Sequence, residues 1–265
     1  MCLMLFLLLF WCIGWYIIKK EGGRMHQTDG LSNDKLKIIA AVSMLIDHIG
    51  AYLFPHIIVL RIIGRIAFPI FAFMIAEGCH YTGNKKKYLF NMILLAVFCQ
   101  GAFYPFKPGY FRIPVTFCIS IAVIYLLQYT MDKIYGDCRM VEKVFSVAVL
   151  LLAVLAVAYI NRIYRIDYGF YGCMTPAIVS VVYWREVMPQ KDRKYDTLYR
   201  KLGMLALALW FVYKEYGGVQ IYSFFAIALL ATYNGKRENT VPKYFFYAFY
   251  PLHLAVIYAV KYFIL

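Results

Sequence analysis

Long apolar runs separated by short polar stretches recur from one end of the chain to the other. A helix rises about 1.5 Å per residue, so about 20 mostly apolar residues cross the hydrocarbon layer of a bilayer. Runs of that order extend from Cys2 to Ile18, Leu36 to Phe54, Ile57 to Ala76, Tyr88 to Phe106, Ile113 to Tyr129, Val144 to Ile160, Phe170 to Trp184, Leu202 to Tyr213, Val219 to Tyr233 and Phe245 to Ile264. Turn chemistry falls between them, with Pro55 after the second run, Gly83-Asn84 after the third, Lys107-Pro108-Gly109 after the fourth and Gly217-Gly218 between the eighth and ninth. The pattern predicts an all-α fold, a polytopic transmembrane helical bundle of about ten spans in which the eighth is the shortest.

Composition agrees. The 265 residues are 63% apolar and 16% charged, whereas a soluble domain carries roughly 45 to 50% apolar and about 25% charged residues. Basic residues then test the span order, because loops on the cytoplasmic side collect Lys and Arg. They gather in alternate connections: Lys19, Lys20, Arg24, Lys35 and Lys37; Lys85, Lys86 and Lys87; Lys133, Arg139 and Lys143; Arg185, Lys191, Arg193, Lys194, Arg200 and Lys201; and Lys236, Arg237 and Lys243. The expected placement is therefore the cytoplasmic membrane, multi-pass, with these connections inside and the C-terminus outside. The same asymmetry accounts for the net charge of +14 without a nucleic-acid partner. Residues 1–24 read as an N-terminal membrane anchor helix that lacks a signal-peptide cleavage site, and residues 25–265 as one transmembrane domain; if Met25 is the true start, nine spans remain.

The seven cysteines form no C-x-x-C pair, so no disulfide framework is expected. No His-Glu-x-x-His or comparable spacing occurs, and no metal site is expected.

Ionisable groups inside a span are costly and mark function by default. Asp47-His48 lies in the second run, Arg61 and Arg65 in the third with Glu77 and His80 at its inner end, His253 in the tenth, and Asp167 just before the seventh. At about 1.5 Å per residue, His48 is about 18 Å from the inner end of its span and Arg65 about 12 Å from the outer end of its own. Three helices thus bring Asp47, His48, Arg65 and His253 to one level, with Arg61 one turn from Arg65 on the same face. A plain Asp-Arg pair tying two helices together explains part of this group. Two imidazoles at the same depth point further, to acid-base chemistry near neutral pH.

The run Leu36-Lys37-Ile38-Ile39-Ala40 through Met44-Leu45-Ile46-Asp47-His48-Ile49-Gly50, followed by Arg61-Ile62-Ile63-Gly64-Arg65-Ile66-Ala67-Phe68-Pro69 and Glu77-Gly78, resembles the TraX family of conjugal-transfer membrane proteins. Asp167-Tyr168-Gly169 with Gly172, and Tyr247-Ala248-Phe249-Tyr250-Pro251-Leu252-His253-Leu254, are similar to it as well. The resemblance runs from Gly30 onward and implies acetylation of pilin subunits in the membrane. A fainter likeness joins the chain to acyltransferase-3 type membrane enzymes, which carry a basic residue, ten intervening positions and a catalytic His, as Lys37 and His48 do here. Those enzymes have paired arginines two residues apart, whereas three residues separate Arg61 and Arg65.

Together these readings predict transfer of an acetyl group from cytosolic acetyl-CoA to an amine or hydroxyl at the lipid bilayer, on an acceptor peptide, glycan or lipid headgroup. His48, oriented by Asp47, is the expected base, Arg65 the oxyanion stabiliser, and His253 a second acid-base group or relay. Lys37, Arg61, Glu77 and His80 are the expected cofactor-binding residues. The rival reading is a proton-coupled transporter that uses the same Asp, His and Arg residues as a relay.

Overall fold

Ser32 begins the first helix by accepting a hydrogen bond on its Oγ from the Lys35 backbone N–H at 3.4 Å, the capping role short polar side chains fill. The computed structural model describes residues 30–106, 108–183, 193–238, 241–242 and 244–263. The expected anchor at 1–24, with its basic residues, lies outside these, as do Arg185, Lys191 and Lys243.

The helices are α1 (Asn33–Tyr52), α2 (Ile58–Gly64), α3 (Ala67–Tyr81), α4 (Lys85–Phe103), α5 (Ile113–Tyr135), α6 (Met140–Ile163), α7 (Gly169–Ser180), α8 (Arg193–Tyr216), α9 (Phe225–Ala231) and α10 (Phe245–Phe263). Short 3-10 turns occupy Tyr104–Phe106 and Gly218–Phe224. Among the described residues, four helical stretches are long and apolar enough to cross a membrane: Ile58–Tyr81, Lys85–Phe106, Ile113–Tyr135 and Met140–Ile163. The apolar stretches Gly169–Tyr183 and Gly218–Ala231 are shorter. The expected count of about ten full spans is therefore not reproduced: α1 carries Asp34, Lys35, Lys37 and Asp47, and the expected ninth span is built from a 3-10 turn and the seven-residue α9. The short eighth run belongs to a 24-residue helix, α8, whose first turns are polar.

The expected third span is interrupted at Arg65-Ile66, between α2 and α3. Pro69 has no N–H to give the carbonyl four residues earlier, that of Arg65, and its ring crowds that carbonyl, which favours a kink or break at this point. Two β-strands also appear in a chain expected to be all helix: β1 (Tyr110–Phe111) pairs in parallel with β2 (Arg165–Ile166), Tyr110 opposite Arg165 and Phe111 opposite Ile166. The Asp167 N–H continues this register by donating to the Phe111 carbonyl at 2.8 Å.

Leu36, Ile70, Phe73, Ile121, Leu205 and Leu230 are fully buried and form the main core. Around it, α6 leaves Val141, Val144, Leu151, Leu152 and Leu155 exposed, and α4 exposes Phe90, Leu94, Val97 and Phe98. Apolar helix faces of this extent suit lipid rather than water. Cys79, Cys99, Cys118, Cys138 and Cys173 are free.

Candidate functional site

Glycine sets the closest helix contact in the molecule's polar centre. A Cβ built on Gly64 would fall 2.2 Å from the Asp47 side chain, and one on Gly50 would fall 2.7 Å from Leu60 Cβ. With hydrogen in both places, α1 and α2 approach until backbone and short side chains touch. Asp47 is then fastened from both sides. One of its oxygens accepts from Arg61 Nη1 at 2.7 Å and the other from Arg65 Nη2. Arg61 Nη1 also donates to the Asp47 carbonyl at 3.0 Å, and Arg65 Nε donates to the Arg61 carbonyl at 3.2 Å. The break before α3 leaves the last carbonyls of α2 open to such side-chain donors.

His48 faces elsewhere. Its Nδ1 lies 2.7 Å from His253 Nε2 on α10, with the rings stacked at 5.0 Å and inclined by 17°. The His253 Nδ1 lies 2.8 Å from the Phe249 carbonyl. A carbonyl only accepts, so His253 carries a proton on Nδ1, and in the neutral ring its Nε2 is an acceptor. His48 must then donate from Nδ1, which leaves its Nε2 with a lone pair. The expected orientation of His48 by Asp47 is not what the helices build: consecutive helical residues point about 100° apart, and the imidazole that orients His48 comes from α10.

A cavity of about 460 Å³ joins these groups; Asp47, His48, Arg61 and Arg65 line it together with Tyr52, Tyr110, Arg112, Asp167, Tyr168, Gln220 and Tyr250. His253 is buried behind His48 and does not line it. The small parallel sheet brings three wall residues to one place, with Tyr110 in β1, Arg112 just beyond it and Asp167 just after β2. Tyr168 follows with φ of 59°, a left-handed backbone that is rare for a bulky residue and clusters at functional sites. Its ring stacks on Phe68 at 4.0 Å, and Thr116 Oγ1 holds the Asp167 carbonyl at 2.8 Å. Gln100 bridges in the same region, donating from Nε2 to the Tyr110 carbonyl at 3.0 Å.

Of the residues singled out from the sequence, Asp47, His48, Arg61, Arg65 and His253 therefore meet, and Asp167 shares the cavity wall. Lys37, Glu77 and His80 do not join them. Lys37 precedes His48 by eleven residues on one helix, about 16 Å, and its Nζ sits 5.9 Å from the Phe246 ring. Glu77 closes a separate buried cluster: Tyr183 donates to its Oε1, Lys201 Nζ donates to the same oxygen at 3.1 Å, and Tyr233 donates to Oε2 at 3.3 Å. His80 stacks on Tyr183 at 4.2 Å. Arg112 and Gln220 were not anticipated as site residues. Their signal in the sequence was faint: a basic residue on the side poor in them, and an amide inside an apolar run.

Comparisons with known proteins place the chain in a lineage. Over 61 residues the chain is 41% identical to an uncharacterized protein of Rickettsia prowazekii (strain Madrid E), a match spanning 23% of the chain and a quarter of that protein's length. It is 26% identical over 261 residues, 91% of the chain and the full length of the relative, to a protein of Dichelobacter nodosus named as probable fimbrial assembly protein FimC, serogroup H1. No solved structure matches. The sequence profile described as TraX protein matches residues 32–261, which takes in the cavity wall and both histidines. The chain belongs to the TraX family.

Proposed function

We propose that this membrane protein is an acetyltransferase that moves an acetyl group from acetyl-CoA to an amine or hydroxyl of an acceptor at the membrane. The observation that carries this reading is the hydrogen-bond sequence Phe249 carbonyl, His253, His48, which leaves an unprotonated imidazole nitrogen on a residue lining a cavity beside two arginines. A general base needs such a lone pair, held in orientation by a second group.

In the proposed reaction His48 Nε2 takes the proton of the acceptor as its nitrogen or oxygen attacks the thioester carbonyl carbon. The carbon–sulfur bond then breaks, and the CoA thiolate leaves with that proton. His253 holds the tautomer and receives charge from His48 through the 2.7 Å bond. Arg65 and Arg61 supply fixed positive charge for the oxyanion. Asp47 positions both guanidiniums rather than the imidazole.

Of the cavity residues, Tyr110, Arg112, Asp167 and Gly217 lie in the connections poorer in Lys and Arg, and Tyr52 and Tyr216 end the helices that lead toward that side. Under the positive-inside rule that end faces outward, so the acceptor enters from outside and the C-terminus lies outside as well. The fimbrial assembly named for the Dichelobacter relative supports a surface-fibre subunit as the acceptor.

Purified protein in lipid nanodiscs with labelled acetyl-CoA and a peptide amine tests the reading. Label is expected on the peptide with the wild type and not with His48→Ala. Ligand flux in vesicles without any acyl transfer would replace it with a proton-coupled carrier.

A further inference from the structure

Arg112 is 5% exposed and lines the cavity, yet it pairs with no carboxylate among the described residues. Its Nη2 donates to the Phe103 carbonyl and to the Tyr258 hydroxyl, each at 3.3 Å. The rings of Phe103 and Tyr258 flank the guanidinium at 5.1 and 5.9 Å, fixing its plane. Tyr52 adds a hydroxyl, which also leaves the charge unbalanced.

A buried charge without a counter-charge is costly, and the rest of the cavity does not relieve it. Asp47 is shared by Arg61 and Arg65. Asp167 interacts with the Tyr110 hydroxyl. Three guanidiniums thus face two carboxylates across the cavity wall. Gln220 adds a second unmet demand. Its Oε1 accepts from Arg65 Nη1 at 3.3 Å, and because arginine has no acceptor the amide cannot be turned around. The Gln220 Nε2 is left buried with no hydrogen-bond partner, on a residue 3% exposed in the same wall.

We propose that Arg112 is the anion-binding residue of this cavity and that its ligand is a carboxylate or phosphate group carried by the acyl acceptor, with Gln220 donating to a further oxygen of the same ligand. Both anions present two oxygens to one guanidinium edge. The assignment of the ligand as acceptor rests on the acetyltransferase reading; the anion site itself does not.

Calorimetric titration of the full chain in nanodiscs with inorganic phosphate and, separately, with acetate, at constant ionic strength in chloride, reads the site without catalysis. The wild type is expected to bind at least one of them. Arg112→Gln is expected to weaken that binding at least tenfold, Arg112→Lys by less, and Gly101→Ala, on an exposed part of α4 outside the cavity lining, to leave it unchanged. Should Arg112→Gln fail to fold, Arg112→Lys and Gln220→Leu carry the test, each expected to bind more weakly than wild type. Wild type that binds neither anion, or variants that bind as wild type does, overturns the proposal. Where acetyl transfer is measurable, Arg112→Lys is expected to raise KM for an acceptor bearing the anionic group and not for its neutral amide or alcohol counterpart; equal KM values for the two acceptors in wild type would assign the anion to a source other than the acceptor. Arg112-dependent anion binding in a protein without acyl transfer would remove the enzymatic reading and keep the site.

Discussion

His48 and His253, 205 positions apart in the chain, meet with 2.7 Å between Nδ1 and Nε2. The contact joins α1 to α10, the first and last of the described helices, and fixes which nitrogen of each ring holds a proton. His48→Ala is expected to lower acetyl transfer by a factor of about 100 or more, the range in which a positioned base contributes. His253→Ala should lower kcat less and alter its pH profile, because His48 then loses its tautomer. In wild type the rate falls as the pH is lowered until His48 is protonated. Initial-rate kinetics across pH check all three.

Asp47 acts through arginines, so its loss has a different signature. Asp47→Asn leaves Arg61 and Arg65 without their shared carboxylate; a fully buried pair broken in this way costs about 3 to 5 kcal/mol, and this partly buried network less. A lowered thermal midpoint is expected, with a pH profile for kcat that keeps its wild-type shape. A shifted profile would instead return Asp47 to the role of orienting His48.

Gly64→Ala places a methyl group where Asp47 stands, 2.2 Å from its side chain. Overpacking of this kind costs about 1 to 3 kcal/mol, and here it also pushes α1 from α2. Reduced stability and reduced activity are both expected. Gly101→Ala meets nothing within 4 Å and serves as the comparison, expected neutral or slightly stabilising because alanine is the better helix former. Thermal unfolding of both variants in the same detergent decides.

Glu77→Ala strips Lys201, Tyr183 and Tyr233 of their common acceptor. A destabilised protein with an unchanged KM for acetyl-CoA is the expected result. A raised KM with intact stability would make this cluster a cofactor site, in keeping with the place of Glu77 at the inner end of its expected span.

The reach of sequence reading differed between the fold and the site. Breaks at Pro55, Gly83 and Gly217 and the apolar runs between them located most helices to within a few residues, since burying backbone polar groups in lipid requires helix wherever the chain is apolar. The break at Arg65-Ile66 was also encoded, in Pro69, but hydropathy passes over a missing N–H in an otherwise apolar run. The strand pair at Tyr110 and Arg165 left no trace, because two-residue strands have no periodicity to detect.

Sequence alone indicated a lipid-facing helical protein with few costly ionisable groups, and an expected common level for Asp47, His48, Arg65 and His253 with Arg61 one turn away from Arg65. Those follow from spacing along a helix of fixed rise and from the expense of charge in hydrocarbon. Only the tertiary structure decided who partners whom. Rotation of each helix about its axis sent Asp47 to the arginines and His48 to His253, and the folding of distant connections onto one end set Arg112 and Gln220 beside them. Such pairings depend on packing between segments far apart in the chain, and no local pattern of residues carries that information.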